Sequence, residues 1–304
     1  MSTAANWEGV GDALHAIMGE RMRAREPMSR HTTIGVGGPV RWMVFPASAS
    51  EVARTVRCAI AHRVPWFALG KGSNLIVRDG GYEAIVINLS EHMTQVRVNQ
   101  RTVYAQGGAS FAALARKMTK SGRTGLEFGT GIPGTVGGAV HMNAGAFGGD
   151  VSEALVSTRI VDATGAMRTV RAADITFTYR HTSLDPRAVV VAATFKCRPG
   201  AIRKDVYDRS IGRKQTQPIW ERSFGSTFVN PPGKFAAEMI EGCGLKGTRL
   251  GGAMISDLHA NFIINIEGSA TAADVEALID LARTEVLKRY GVELKTEVVI
   301  VGDR

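Results

Sequence analysis

The sequence predicts an α+β protein of about two domains, and three observations carry that expectation. The chain has 304 residues, enough for two bodies at roughly 150 residues each. Short β-branched runs separated by turns dominate the first two-thirds, with few helical patterns among them. The last hundred residues then read strand, helix, strand. With 44% hydrophobic and 21% charged residues, the composition is that of an ordinary globular chain. Glycine is the exception at 35 residues with no Gly-X-Y period, so the excess belongs to particular loops.

From the N-terminal side onward, Ser48 and Glu51 stand in capping-box spacing and Val52, Val56, Ala59 and Ile60 share a face, which predicts a helix over 48–63. Strand-like runs occupy 64–69, 75–77 and 84–89. A hairpin is expected from 96–99 and 102–105, then a helix over 111–120 and a glycine-dense stretch from 122 to 149. Residues 158–162 and 167–170 flank a Thr-Gly turn as a second hairpin, and 189–197 reads as one continuous buried strand. Near the end, Thr271 and Asp274 start a helix with Val275, Leu278, Ala282 and Leu287 near one face, and Gly291 closes it. With strands over 262–266 and 294–301 on either side, a strand-helix-strand unit is expected in a separate module. Its boundary falls in the basic segment 203–217.

Several function classes are disfavoured. The longest apolar runs, such as 188–193, are far shorter than the roughly 18 residues of a membrane span, and no secretory leader is evident, so the cytoplasm is expected. Cys58, Cys197 and Cys243 are scattered and odd in number, which suits buried apolar residues better than disulfides or a zinc site. The seven histidines form no H-x-x-x-H pair, and no metal is expected. The formal charge of +9 suits a partner bearing phosphates. Basic residues are dispersed and aromatics are only 7%, so small anions are favoured over nucleic acid.

Two glycine loops stand out. The first, Gly70-Lys71-Gly72-Ser73-Asn74, comes directly after an apolar strand; glycines let backbone amides approach an anion, and Ser and Asn add donors. On these residues alone, a tight strand connection is an equal reading. The second, Gly129-Thr130-Gly131-Ile132-Pro133-Gly134, matches G-x-G-x-x-G only as a string. Pro133 lies inside it and further glycines crowd the residues after it, so it is not a dinucleotide fingerprint. Neither Gly70-Lys71 nor Gly233-Lys234 is followed by Ser or Thr, which excludes a Walker loop. The remaining possibility is a cofactor gripped between backbone segments, the second of which extends to Asn143-Ala144-Gly145.

Six ordered segments, LGKGSNLIVRDGGYEAIVINL (69–89), GLEFGTGIPGTVGGAVHMNAGAFG (125–148), FTYRHTSL (177–184), GSTFVNP (225–231), GLKGTRLGGAMISDLHANFIIN (244–265) and LKTEVVIVG (294–302), resemble the UDP-N-acetylenolpyruvoylglucosamine reductase family. The resemblance implies a two-subdomain FAD-binding region of the PCMH/vanillyl-alcohol-oxidase type followed by an α+β substrate-binding domain. On this chain that means residues 1–90, 91–205 and 206–304. It implies non-covalent FAD, held by Gly70, Lys71, Gly72, Ser73, Asn74 and Leu75, by Gly131, Ile132, Pro133, Gly134 and Gly138, by Asn143, Ala144 and Gly145, and by Arg180. NADPH is the implied hydride donor and a UDP-sugar the implied substrate. A monomer with no obligatory protein partner, no nucleic acid and no membrane is expected. The interval of 46 positions from Arg180 to Ser226 matches a shorter subtype without an inserted tyrosine-bearing loop.

The implied reaction reduces an enolpyruvyl double bond in peptidoglycan precursor synthesis. Hydride arrives at one carbon, and the enolate that develops needs a proton and a partner for its charge. By resemblance Ser226 is the proton donor, a contribution worth about 3 to 5 kcal/mol of barrier. Arg180 offers a planar fork to the carboxylate. Glu297, the third catalytic position, must be protonated or paired with a cation if it is buried near that charge. Arg213, Lys214, Gln217 and Asn230 are the candidates for substrate binding. Three departures stand against the family pattern: Val229 replaces a frequent Lys, Val299 a frequent Arg, and Lys71 a common Gly. Two other readings remain open at this point. An FAD oxidase of a different small molecule would not need the Ser226 and Glu297 pair, and a nucleic-acid module would be colourless.

Overall fold

The computed structural model describes residues 5–212 and 215–303. The chain gathers into two compact units. One comprises Met1–Arg25, Arg41–Lys71 and Ala84–Ile211; the other comprises Glu26–Val40, Gly72–Glu83 and Gly212–Arg304.

The first unit is organised on two sheets. In the four-stranded sheet the order is Met22–Pro27, Pro39–Val44, Tyr82–Asn88, Trp66–Leu69, and the last two strands run parallel. In the five-stranded antiparallel sheet the order is Met167–Arg171, Leu155–Val161, Val189–Lys196, Thr102–Gln106, Val96–Val98. Val189–Lys196 serves two cores at once, because side chains alternate across a strand and a bulge at Val191, where Arg159 pairs with Ala192 but Ile160 with Val190, shifts that alternation midway. Val189 and Val191 join the core built by Val10, Leu14, Val52 and Val56. Val190, Ala193 and Phe195 join the one built by Phe111, Leu114, Phe128 and Val140. Both expected hairpins are present, and the helix Phe111–Lys120 begins at Ser110, whose hydroxyl accepts from the amide of Ala113.

The second unit holds a third core, in which Ile34, Val36 and Ile76 are buried with residues of the C-terminal segment. The stretches 26–40 and 72–83, assigned by sequence to the first domain, thus cluster with the C-terminal residues. Its four-stranded antiparallel sheet runs Arg222–Ser226, Phe262–Asn265, Ala253–Ile255, Arg249–Leu250. The helix Ala272–Tyr290 has the full capping box from Thr271 and Asp274 and ends at Gly291 in a left-handed conformation. Asp79 reinforces its start, accepting the amides of Ala272 and Ala273 at 2.9 Å each, next to the N-terminal end of the dipole.

Several sequence expectations are corrected. The capping box at Ser48 is half formed: Ser48 accepts from the Glu51 amide, but the Glu51 carboxylate is taken by Ala47 and Arg21. Ile60 is exposed, and Val286 rather than Leu287 completes the buried face of the last helix. The final strand is only Val299–Val301. It pairs in parallel with Leu75–Val77 instead of joining the sheet of Phe262–Asn265, so no strand-helix-strand unit closes in one sheet. Cys197 is buried, and burial pushes its thiol up to about 11, whereas Cys58 and Cys243 are only partly buried.

Candidate active site

In the first unit Gly70, which opens the first glycine loop, is fitted against Thr135, just past the second. A Cβ on Gly70 would run into Thr135 Oγ1, so only glycine allows the approach. Thr135 is bridged to Ser110, whose hydroxyl also receives the exposed Lys71 ammonium at 3.4 Å. The second loop enters through the 3-10 turn Glu127–Gly131 and leaves through the short helix Val136–His141. Its backbone is tied down on both sides of the turn: Phe111 donates to the Gly134 carbonyl, Val136 to Ala109, and Gly137 to Gly107. The amides of Gly134 and Thr135 donate to no group among the described residues, and neither do those of Lys71, Gly72, Ser73 and Asn74 in the first loop. A Cβ on Gly138 would meet nothing closer than 3.7 Å.

Glu127 anchors this segment from below. It is buried, and its carboxylate accepts from the Gly125 amide, the Thr124 hydroxyl and the Arg203 amide at 2.7 to 3.0 Å. Burial alone raises a carboxyl pKa, but these donors outweigh it and hold Glu127 below its ordinary range.

Asn143 is buried at φ 40°, and its side chain is committed to the fold. Its amide donates to Asp150 and to the Thr178 carbonyl, both at 3.2 Å, while its oxygen accepts from Ser152. The bond to Thr178 docks the small hairpin Phe177–Thr178/His181–Thr182, whose two-residue turn is Tyr179-Arg180. Arg180 sits there at φ 58° with its guanidinium over the Tyr179 ring, 4.9 Å from the centroid. A left-handed arginine costs about 1 kcal/mol where glycine would cost nothing. Strain of this kind is concentrated at functional positions.

In the second unit three residues far apart in sequence come together. Ser226 ends the strand Arg222–Ser226 beyond a bulge, where Phe224 and Gly225 oppose the single residue Ile263 and Gly225 has φ 84°. The next residue, Thr227, accepts the Glu297 amide at 2.8 Å, and Phe228 bridges Thr296. Asn74 of the first glycine loop donates its side-chain amide to the Glu297 carbonyl at 3.1 Å. Asn261 locks the strand: its side chain takes both backbone groups of Phe228, at 2.9 and 2.8 Å. Ser226 and Glu297 are both half-buried. Thr227 Oγ1 is buried with no hydrogen-bond partner among the described residues.

Of the substrate candidates, Arg213 and Lys214 lie outside the described residues. Gln217 is half-buried, and its carbonyl accepts the Ile219 amide. Asn230 is exposed, and its side-chain oxygen receives the amide of Ala236, which begins the helix Ala236–Gly242. Val229 donates its amide to the Lys295 carbonyl, so Lys295 is its neighbour across the strand pair, and Val299 donates to Asn74.

Comparison with known proteins gives these motifs a family. Residues 40–171 match the FAD binding domain, and residues 217–301 match the C-terminal domain of UDP-N-acetylenolpyruvoylglucosamine reductase. The UDP-N-acetylenolpyruvoylglucosamine reductase of Heliobacterium modesticaldum is 41% identical over 284 residues, covering 92% of this chain and 90% of its own. The chain belongs to the UDP-N-acetylenolpyruvoylglucosamine reductase family. The enzyme of the same name from Geobacillus kaustophilus is 39% identical over 302 residues, covering 97% of this chain and 98% of its own. The crystal structure of the Thermus caldophilus reductase superposes with a TM-score of 0.79 at 32% identity, over 92% of this chain and 99% of that one. A wild-type pollen protein, Phl p 4.0202, described as a glucose dehydrogenase, shares only the fold, with a TM-score of 0.50 and 19% identity over 63% of this chain and 44% of its own.

The reductase is an α+β flavoenzyme, and its residues fit FAD. Unpartnered amides in glycine loops are the donor set that a diphosphate requires. Asn261, Thr135 and Glu127 escaped the sequence reading as site residues. A buried Asn in an apolar run such as Ala260 to Ile264 is itself a sign of a hydrogen-bonding task, but nothing in the sequence names the partner.

Proposed function

We propose that this chain reduces the enolpyruvyl group of UDP-N-acetylglucosamine enolpyruvate to give UDP-N-acetylmuramate, with Ser226 as the proton donor. The observation that carries the residue assignment is the convergence of Asn74, Ser226 and Glu297 within one unit through the chain Asn74–Glu297–Thr227. FAD, when bound, would supply hydride chemistry, with NADPH as the reductant. The amides of Lys71, Gly134 and Thr135, all in the first unit, would hold the cofactor's phosphates.

The chain's own residues manage the charge and the proton. As hydride reaches one carbon of the double bond, the neighbouring carbon becomes part of an enolate conjugated with the carboxylate. An alcohol is a weak acid near neutrality, but an enolate is basic enough to take its proton, provided the hydroxyl is held in place. The bulge at Gly225 and the Asn261 clamp on Phe228 provide that hold from either side of Ser226. Arg180 is assigned to the substrate carboxylate, where a fixed planar cation stabilises charge developing in the transition state. Glu297 is assigned a place beside the same developing charge, which requires that it be either protonated and donating a hydrogen bond or paired with a cation. Gln217, Asn230, Arg213 and Lys214 are assigned to the UDP-sugar, with Lys295 as the cation next in register to Val229. The enzyme is taken to act in the cytoplasm as a monomer.

Ser226→Ala tests the assignment in two half-reactions. Stopped-flow reduction of the flavin by NADPH is expected to stay within about twofold of wild type. Reoxidation by the enolpyruvyl substrate is expected to slow by about a hundredfold or more. Equal loss in both halves, or full activity in the second, overturns Ser226 as the acid.

A further inference from the structure

Two stretches of the first unit contain no acidic residue. Residues 92–126 carry six Arg and Lys, residues 186–204 carry five, and neither has an Asp or Glu. The fold joins them: Arg198–Pro199 pairs antiparallel with Arg123–Thr124, and Lys196 faces Thr102 in the adjoining ladder. Where the stretches meet there is a cleft of about 560 Å3 lined by Gln100, Arg101, Arg123, Arg198 and Pro199. This volume lies within the roughly 300–1,000 Å3 of small-molecule sites.

Arg123 is built into the wall of the cleft. Its Nη1 is shared among the carbonyls of Asn99, Gln100 and Cys197 at 3.0, 3.1 and 3.0 Å. Its Nε and Nη2 make no hydrogen bond among the described residues, and no carboxylate there lies within ion-pair distance of Arg101, Arg123 or Arg198. Three guanidinium groups around one cleft repel one another, and an oxyanion carrying more than one charge relieves that repulsion while accepting their hydrogen bonds. No aromatic side chain lines the cleft, so it offers nothing for a base to stack on.

This cleft is separate from the glycine loops. It lies at the Thr102 end of the strand Thr102–Gln106, whereas Gly107, just past the other end, accepts the Gly137 amide. Five residues of strand separate the two by roughly 17 Å. We propose that the cleft is a second anion site on this protein, for a small ligand of the diphosphate class recognised through its phosphoryl oxygens. Its footprint of five residues, with no aromatic side chain among them, favours such a ligand over an extended lipid or RNA surface. An occupant gripping Arg123 would sit beside Thr124 and Gly125, which hold Glu127 at the entrance to the second glycine loop.

The test uses FAD-loaded protein saturated with UDP-N-acetylmuramate, so that the phosphate sites of the reductase are occupied. Inorganic pyrophosphate is titrated calorimetrically into wild type and into the R101Q/R198Q double variant; Arg123 is kept because it braces three carbonyls. Saturable binding to wild type is expected, weakened at least about tenfold in the double variant, with flavin reduction by NADPH unchanged in both. Equal affinity in the two proteins, or no binding to wild type, overturns the proposal. Anionic phosphatidylglycerol vesicles and an RNA oligonucleotide are run alongside. Retention of either by wild type without pyrophosphate binding also overturns it, in favour of an extended surface.

Discussion

Thr227 shows how one atom separates stability from catalysis. This residue, next to the proposed acid, is 1% exposed, and its hydroxyl has no partner among the described residues. An unpaired buried hydroxyl costs roughly 1 to 3 kcal/mol in desolvation, and the isosteric Val carries no such cost. Thr227→Val is therefore expected to stabilise the FAD-loaded protein by about 1 kcal/mol, read as a higher urea midpoint, without slowing flavin reduction by NADPH. A lowered midpoint means that the hydroxyl is bonded in solution. Glu127 gives the opposite case, a buried carboxylate fully satisfied by donors. Its pKa is depressed in the folded state, so the unfolded chain binds the proton first as the pH falls. The stability it contributes is complete above the ordinary carboxylate range and is lost as pH falls through the folded value. Glu127→Gln is expected to flatten the acid side of the stability–pH profile, and an unchanged profile in urea titrations between about pH 6 and 3 would remove Glu127 from that role.

At the scale of elements, the sequence is most informative where a local rule acts alone. Ser48, Ser110 and Thr271 each cap the helix directly after them, because a side-chain oxygen reaching an amide two or three residues on needs no tertiary help. The helix Val10–Met18 has no such signal: it starts at Gly9 with no side-chain cap, and its buried Val10, Leu14 and Met18 are too few to stand out as a pattern. The last strand is short because what fixes it is non-local, the pairing of Val299–Val301 with Leu75–Val77 more than two hundred residues earlier. The bulge before Ser226 is equally silent in a string of letters, although Gly225 marks its position. At φ 84° that glycine has nothing within 4 Å of a would-be Cβ, so conformation and not space requires it. Gly225→Ala is expected to cost about 1 kcal/mol of stability and to turn Ser226 off its aim. Reoxidation by the enolpyruvyl substrate should then slow while reduction by NADPH persists. A variant that keeps both rates would show that the bulge does not position the hydroxyl.

For the whole molecule, the candidate site is legible in the sequence as chemistry but not as geometry. The resemblance of the motifs to the family's assigns roles to Ser226, Arg180 and Glu297. That Asn74 reaches Glu297, or that Asn143 braces the turn of Arg180, depends on contacts across 223 and 35 positions that no spacing encodes. Charge, by contrast, is read directly from composition: 37 Lys and Arg against 28 Asp and Glu leave +9 on a protein whose proposed substrate carries a diphosphate and a carboxylate. A field of that sign draws an anionic substrate in faster than diffusion alone, and salt removes the advantage as the screening length shortens from about 30 Å at 0.01 M to about 3 Å at 1 M. Across that range kcat/KM for the enolpyruvyl UDP-sugar is expected to fall by about tenfold or more, while kcat, measured at saturation where capture no longer limits, stays nearly constant. A parallel fall in kcat would place the salt effect on the chemistry at Arg180 and Glu297 instead of on encounter, and a flat kcat/KM would mean that the excess positive charge plays no part in capturing substrate.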